Sequence, residues 1–182
     1  MVILDANVLY PFHLRDTMLR TAAAGFYQLR WSRDILDEMV RSLVRTTRIS
    51  KDQATRLRSL MEENFPEALI TGYEELVEEM ENAPSDRHVT AAASRSGAQI
   101  IVTSNLKDFG RLPLGIIAKD PDEFLCSLFN RDPNLFLRTL QEQAADLRNP
   151  PVPFEELLHR LSRTVPKLIA LARIRYKNRS AF

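Results

Sequence analysis

VILDANVLYP, residues 2–11, runs three apolar side chains straight into Asp5 and Asn7, and a second apolar pair precedes Pro11. Such a run reads as a short buried strand that ends in polar side chains. In an α/β protein, an acid at the carboxyl end of a strand faces the crevice where such folds bind ligands. Asp5 is therefore the first candidate functional residue. The reading of everything downstream turns on whether the chain delivers more acids to the same place.

Working outward, Asp16 or Thr17 can cap a helix that stops at Gly25, and YQLRW (27–31) reads as a second strand. Ser32 is placed to cap the amphipathic helix RDILDEMVRSLVR (33–45), and Ser50 with Gln53 makes a capping box for another that stops before Pro66. Residues 68–73 read as a strand and the acidic run 74–81 as a short solvated helix. The alanine-rich helix from Ser85 or Asp86 to Gly97 leads into the apolar strand QIIVT (99–103). Residues 114–118 read as a last strand. Asp120-Pro121 and Asp132-Pro133 each open a helix.

Alternation of strands and helices over residues 1–130 predicts an α/β fold of three α/β/α layers with a central parallel sheet. Past the connector NPPVP (149–153) two more helices follow, so residues 131–182 are expected to form a C-terminal helical extension. The net charge of +1 hides an asymmetry: residues 148–182 hold eight Lys/Arg against Glu155 and Glu156. That basic tail fits an RNA-binding surface, a solvated helix face or a contact with an acidic partner. A single cysteine, Cys126, excludes a disulfide framework, and no apolar run is long enough for a membrane span. A cytoplasmic protein without membrane contact is expected.

Three further acids share the placement of Asp5. Glu38 lies on the helix after the second strand, with Asp34 and Asp37 as rivals there; Asp86 opens the alanine-rich helix; Asp108 lies in the loop after QIIVT. In a doubly wound sheet the carboxyl ends of strands and the amino ends of the following helices lie on one side, so these acids can converge. Clustered carboxylates without His or Cys suit a hard divalent cation, Mg²⁺ or Mn²⁺. Each acid also has a plainer role open to it: Asp86 as a helix cap, Asp108 as support for its loop. Thr103 and Asn105 can bond to acids or merely stabilise the loop, and Arg87 and Lys107, adjacent to site acids, are candidates for substrate phosphate.

With LDANVLYP, SRDILDE, DRHVTAAA and IVTSNLKDF in this order, the chain resembles PIN-domain proteins of the prokaryotic toxin–antitoxin type, the VapC-like ribonuclease toxins. The resemblance implies a PIN-like nuclease domain over residues 1–130 and an endoribonuclease that holds Mg²⁺ or Mn²⁺. Asp5 and Asp86 would be the principal ligands, Asp108 would complete the site, and Glu38 would bind directly or through water; Asn7, Thr103 and Asn105 join the substrate side. Implied partners are an RNA substrate, a small antitoxin protein and a second copy of the chain. Asn105 stands where many members have Asp, which leaves Asp108 as the acid of that loop. Two rival readings are a non-catalytic PIN-like interaction module and an aspartyl phosphatase or phosphotransferase, although the latter's second Asp is here Asn7.

Overall fold

Val2–Leu4 form β1, buried on both faces, and its neighbours are parallel strands on either side. A computed structural model describes residues 1–46 and 49–179. β1 pairs with β2 (Leu29–Ser32) and with β4 (Ile100–Val102); β3 (Leu69–Ile70) and β5 (Ile117–Lys119) complete a five-stranded sheet in the order β3-β2-β1-β4-β5. All pairings are parallel, as the unbroken apolar runs predict. The strand order reverses direction at β1, so the gap between the ends of β1 and β4 is the topological switch point. The Asp5 N–H still donates to the Val102 carbonyl (3.0 Å), which carries the ladder to that acid. This is the α/β architecture of a PIN-like α/β/α fold, followed by a C-terminal helical region.

Two compact units share the chain: Met1–Tyr10 with Tyr27–Lys119, and Pro11–Phe26 with Asp120–Phe182. The first contains the sheet, the short α1 (Ala6–Leu9), α3 (Arg33–Thr46), α4 (Lys51–Asn64) and α5 (Arg87–Ser96). Local rules set their ends. Ser32 Oγ accepts from Ile35 N–H (3.3 Å) at the start of α3. Ser50 and Gln53 close the expected capping box on α4, which stops before Pro66. Gly97, at φ +69°, closes α5 with the left-handed residue that glycine adopts without a Cβ clash.

The second unit is helical: α2 (Phe12–Ala23), α6 (Pro121–Arg131), α7 (Pro133–Asp146), α8 (Phe154–Leu161) and α9 (Pro166–Arg179). It takes in α2 and α6 as well as the extension expected from Arg131 onward. Phe26, Phe129 and Phe136 meet edge to face, and Thr17 Oγ donates to Gln143 Oε1 (2.8 Å), whose amide donates to the His13 carbonyl (3.1 Å). α9 is joined to α6 by a carboxylate. Asp122, buried, accepts from the backbone N–H groups of Lys167 and Leu168, each at 2.8 Å, and so caps α9 from a different helix. No helix among the described residues is long and apolar enough to cross a membrane. The basic run of α9 extends to Arg179, whose side chain lies outside the described residues.

Among the boundaries that depart from expectation, three have local reasons. α2 begins at Phe12, where the Pro11 carbonyl accepts from Arg15 N–H (2.8 Å), rather than at Asp16 or Thr17. The last strand begins at Ile117, because Leu114 is fully exposed and Gly115, at φ +88°, makes a turn there. The acidic run is a 3₁₀ segment, Glu74–Glu79. Asp122→Ala is expected to lower stability by about 2–4 kcal/mol, since two backbone donors lose a charged acceptor in a buried place. Urea unfolding measures this, and an unchanged midpoint would refute the trans-cap.

Candidate functional site

Asp5 follows β1 directly and is only 2% exposed, yet it occupies the N-cap position of α1 without using its carboxylate as a cap. Instead Asp5 Oδ2 accepts from Thr103 Oγ1 (2.7 Å) and from Asn7 Nδ2 (2.6 Å), which bridges the switch point between β1 and β4. Thr103 is fully buried at the end of β4, and its hydroxyl also accepts from Asn7 Nδ2 (3.0 Å) and from Asn105 N–H (3.1 Å). Asn7 Oδ1 in turn accepts from Ser104 N–H (2.9 Å). An amide serves at position 7 because it donates to one side and accepts from the other; a carboxylate there would repel Asp5.

Above this network lies a cavity of about 1040 Å³, lined by Asn7, Glu38, Asp86, Asn105 and Asp108 among others. Asp86 sits at the N-cap position of α5 but makes no side-chain cap bond; its carboxylate accepts from Ser85 Oγ (2.5 Å). Asp108 lies in the 3₁₀ segment Leu106–Phe109, where the Asn105 amide donates to its carboxylate. Its backbone carbonyl accepts from Ala83 N–H (3.0 Å), which ties the loop of Asp108 to the segment that carries Asp86. The rivals on α3 separate. Asp37 is ion-paired with Arg58, Asp34 lines the cavity while accepting from Tyr73 Oη (2.9 Å), and Glu38 lines it with His88 Nε2 3.8 Å from its Oε2.

Electrostatics connect the acids. Burial raises Asp5 from 3.8 to about 6 against the hydrogen bond from Thr103, and the charges of Glu38 and Asp86 raise it further. Glu38 is also raised, by burial and then by Asp86, with Arg41 opposing. Among the described residues, however, no three His, Cys, Asp or Glu side chains stand close enough together to hold a metal ion. The arrangement is a carboxylate-lined cavity rather than a closed cage. The lining is mainly carboxylate and amide oxygen, with His88 beside Glu38, and Mg²⁺ is the cation that binds through only one or two carboxylates, waters and substrate phosphate.

Arg87 and Lys107 are not in the lining: Arg87 Nε donates to the Asn82 carbonyl (3.4 Å), and its Nη1 is 3.8 Å from Glu78. The cations that do line the cavity are Arg41 and Arg45, with Ser42 beside them. Sequence reading missed both. Their signal was their spacing from Glu38, three and seven residues on, which places all of them on one face of α3.

A family model described as the VapC50 C-terminal domain matches residues 121–174. The protein named "Putative ribonuclease VapC50" of Mycobacterium tuberculosis is 35% identical over 118 residues, which cover 63% of this chain and 70% of that protein. The chain belongs to the VapC-like family. Membership implies a PIN domain, which agrees with the parallel sheet and the switch-point acids. No solved structure gives a significant match.

Because the fold raises the pKa of Asp5, the native state holds that proton more tightly than the unfolded chain does. The contribution is favourable at low pH and is lost as pH rises from about 4 to about 6. Asp5→Asn keeps an oxygen for Thr103 and Asn7 but removes the charge. In EDTA the variant should match the wild type below pH 4 and exceed it by on the order of 1–3 kcal/mol above pH 6. Denaturant titrations across that range test this; a variant less stable at pH 7 would contradict it.

Proposed function

We propose that this VapC-like chain is a Mg²⁺- or Mn²⁺-dependent endoribonuclease and the toxin of a toxin–antitoxin pair. The observation that carries the reading is the buried carboxylate of Asp5 at the β1–β4 switch point, hydrogen-bonded to Asn7 of the cavity wall and raised by the charges of Glu38 and Asp86, which line that cavity. The name of the M. tuberculosis relative, a ribonuclease, supports RNA as the substrate.

In this reading Asp5 and Asp86 would hold the cation, Asp108 and Glu38 would complete its surroundings, and the cation would supply Lewis-acid activation of water and of the phosphodiester. Thr103 and Asn7 keep Asp5 in one orientation through three hydrogen bonds among them. Glu38, whose pKa is raised by burial and by Asp86, is the acid of the wall placed to accept a proton from the attacking water. Arg41 and Arg45 lie on the same wall and supply positive charge for the phosphates on either side of the cut. No side-chain nucleophile takes part. An antitoxin segment that places a basic side chain among these acids would inhibit by satisfying the same repulsion.

Labelled RNA incubated with Mn²⁺ should be cut into fragments, and EDTA should stop the reaction. Asp5→Asn and Asp86→Asn are each expected to lose at least about 100-fold in rate while remaining folded. Independently of activity, millimolar Mn²⁺ should raise the melting temperature of the wild type and leave that of Asp5→Asn nearly unchanged. Full activity in both variants would exclude these acids from the reaction.

A further inference from the structure

The helical unit has a cavity of its own, of about 520 Å³, which uses none of the carboxylates discussed above. Phe12, His13, Asp146, Arg148, Pro150 and Arg160 line it. Phe12 opens α2, is 52% exposed and lines this cavity. Its polar neighbours are unusual for a core residue: the Arg15 guanidinium lies 5.7 Å from the ring centroid, and the His13 ring meets it edge-on at 4.9 Å.

Two guanidinium groups share the cavity with the ring; that of Arg160 is paired with Glu156, so Arg148 is the one that offers its charge to an anion. Arg160 is fixed from two sides, with its Nε donating to Glu156 (2.8 Å) and its Nη1 3.5 Å from His13 Nε2. Arg148 projects from the connector after α7 and is exposed. The acid of the lining, Asp146, already accepts from Arg20 Nη1 (2.9 Å), so its charge is offset. Burial and the charge of Arg160 lower the pKa of His13, against Asp16 and Glu156. An exposed aromatic ring that shares a cavity with guanidinium groups offers the two things that proteins use to bind single-stranded nucleic acid: stacking for the base, positive charge for the backbone.

We propose that this cavity binds a nucleotide of single-stranded RNA, with the base stacked on Phe12 and the phosphate facing Arg148 and Arg160. The choice of RNA rests on the ribonuclease reading; the site itself rests on the ring, the two guanidinium groups and the cavity they line. It gives the basic C-terminal region a substrate contact separate from the acids that carry the chemistry.

The test is fluorescence anisotropy of a labelled single-stranded RNA oligonucleotide with the full chain in EDTA, where no cleavage is expected. Phe12→Ala should weaken binding about tenfold without changing the salt dependence, and Phe12→Trp should restore it, whereas Phe12→Leu should not. Arg148→Ala should weaken binding and lower the slope of log affinity against log salt by a little under one, as the loss of one phosphate contact requires. Both side chains are exposed, and thermal melts confirm that the variants fold. A wild type that cuts RNA while all these variants bind like it overturns this site alone, as does Phe12→Leu binding as tightly as Phe12. A wild type that neither binds nor cuts RNA removes the ribonuclease reading and this site with it.

Discussion

A carboxylate buried at the end of the central strand of a parallel sheet is the constraint to which the rest of this fold answers. Asp5 loses almost all its hydration where β1 meets β4, and a buried charge is tolerated only when hydrogen bonds or a counter-charge replace the lost water. Thr103 and Asn7 supply hydrogen bonds, but the nearby charges are those of Glu38 and Asp86, which have the wrong sign. The sheet therefore holds an acid that it only partly satisfies. Such frustration lies at the switch point of a doubly wound sheet, where folds of this kind place their ligands.

The helical unit treats a buried aspartate in the opposite way. Asp122 is nearly as buried as Asp5, and two backbone N–H groups at the start of α9 meet it at 2.8 Å. There the carboxylate does the work of a cap and joins two helices that are distant in sequence. Residue type and burial are shared by the two sites; what separates a structural acid from a functional one is the sign and number of its partners.

That distinction explains which parts of the molecule could be read from the sequence. The apolar runs of β1 and β4, the caps at Ser32, Ser50, Asp120 and Asp132, and the stop at Gly97 are short-range rules, and the structure follows them. The parallel sheet follows from the alternation they create. Boundaries set by tertiary contact were harder: α2 starts at Phe12 within a unit assembled with α7 and α8, and its join to Gln143 spans 126 residues. Within the first unit, Arg41 and Arg45 were overlooked in favour of Arg87 and Lys107, because adjacency to an acid in sequence was taken as nearness to the cavity. On a helix the neighbour that shares a face is three or four residues away, so Arg87, next to Asp86, turns instead toward Asn82 and Glu78.

The same logic bears on why the site is open. A cage that brought three carboxylates together without a cation would add their repulsion to the burial already borne by Asp5, and the fold would have to find several further kcal/mol elsewhere. Spreading Glu38, Asp86 and Asp108 around a cavity, each on a different helix or loop, keeps that repulsion at long range while leaving all of them within one solvent space. Hydrogen bonds from Ser85 to Asp86 and from Asn105 to Asp108 offset part of what remains. An arrangement of this kind limits its own repulsion and suits the proposed cation. The arginines on α3 then limit how far that acidity extends, which agrees with the proposed anionic substrate.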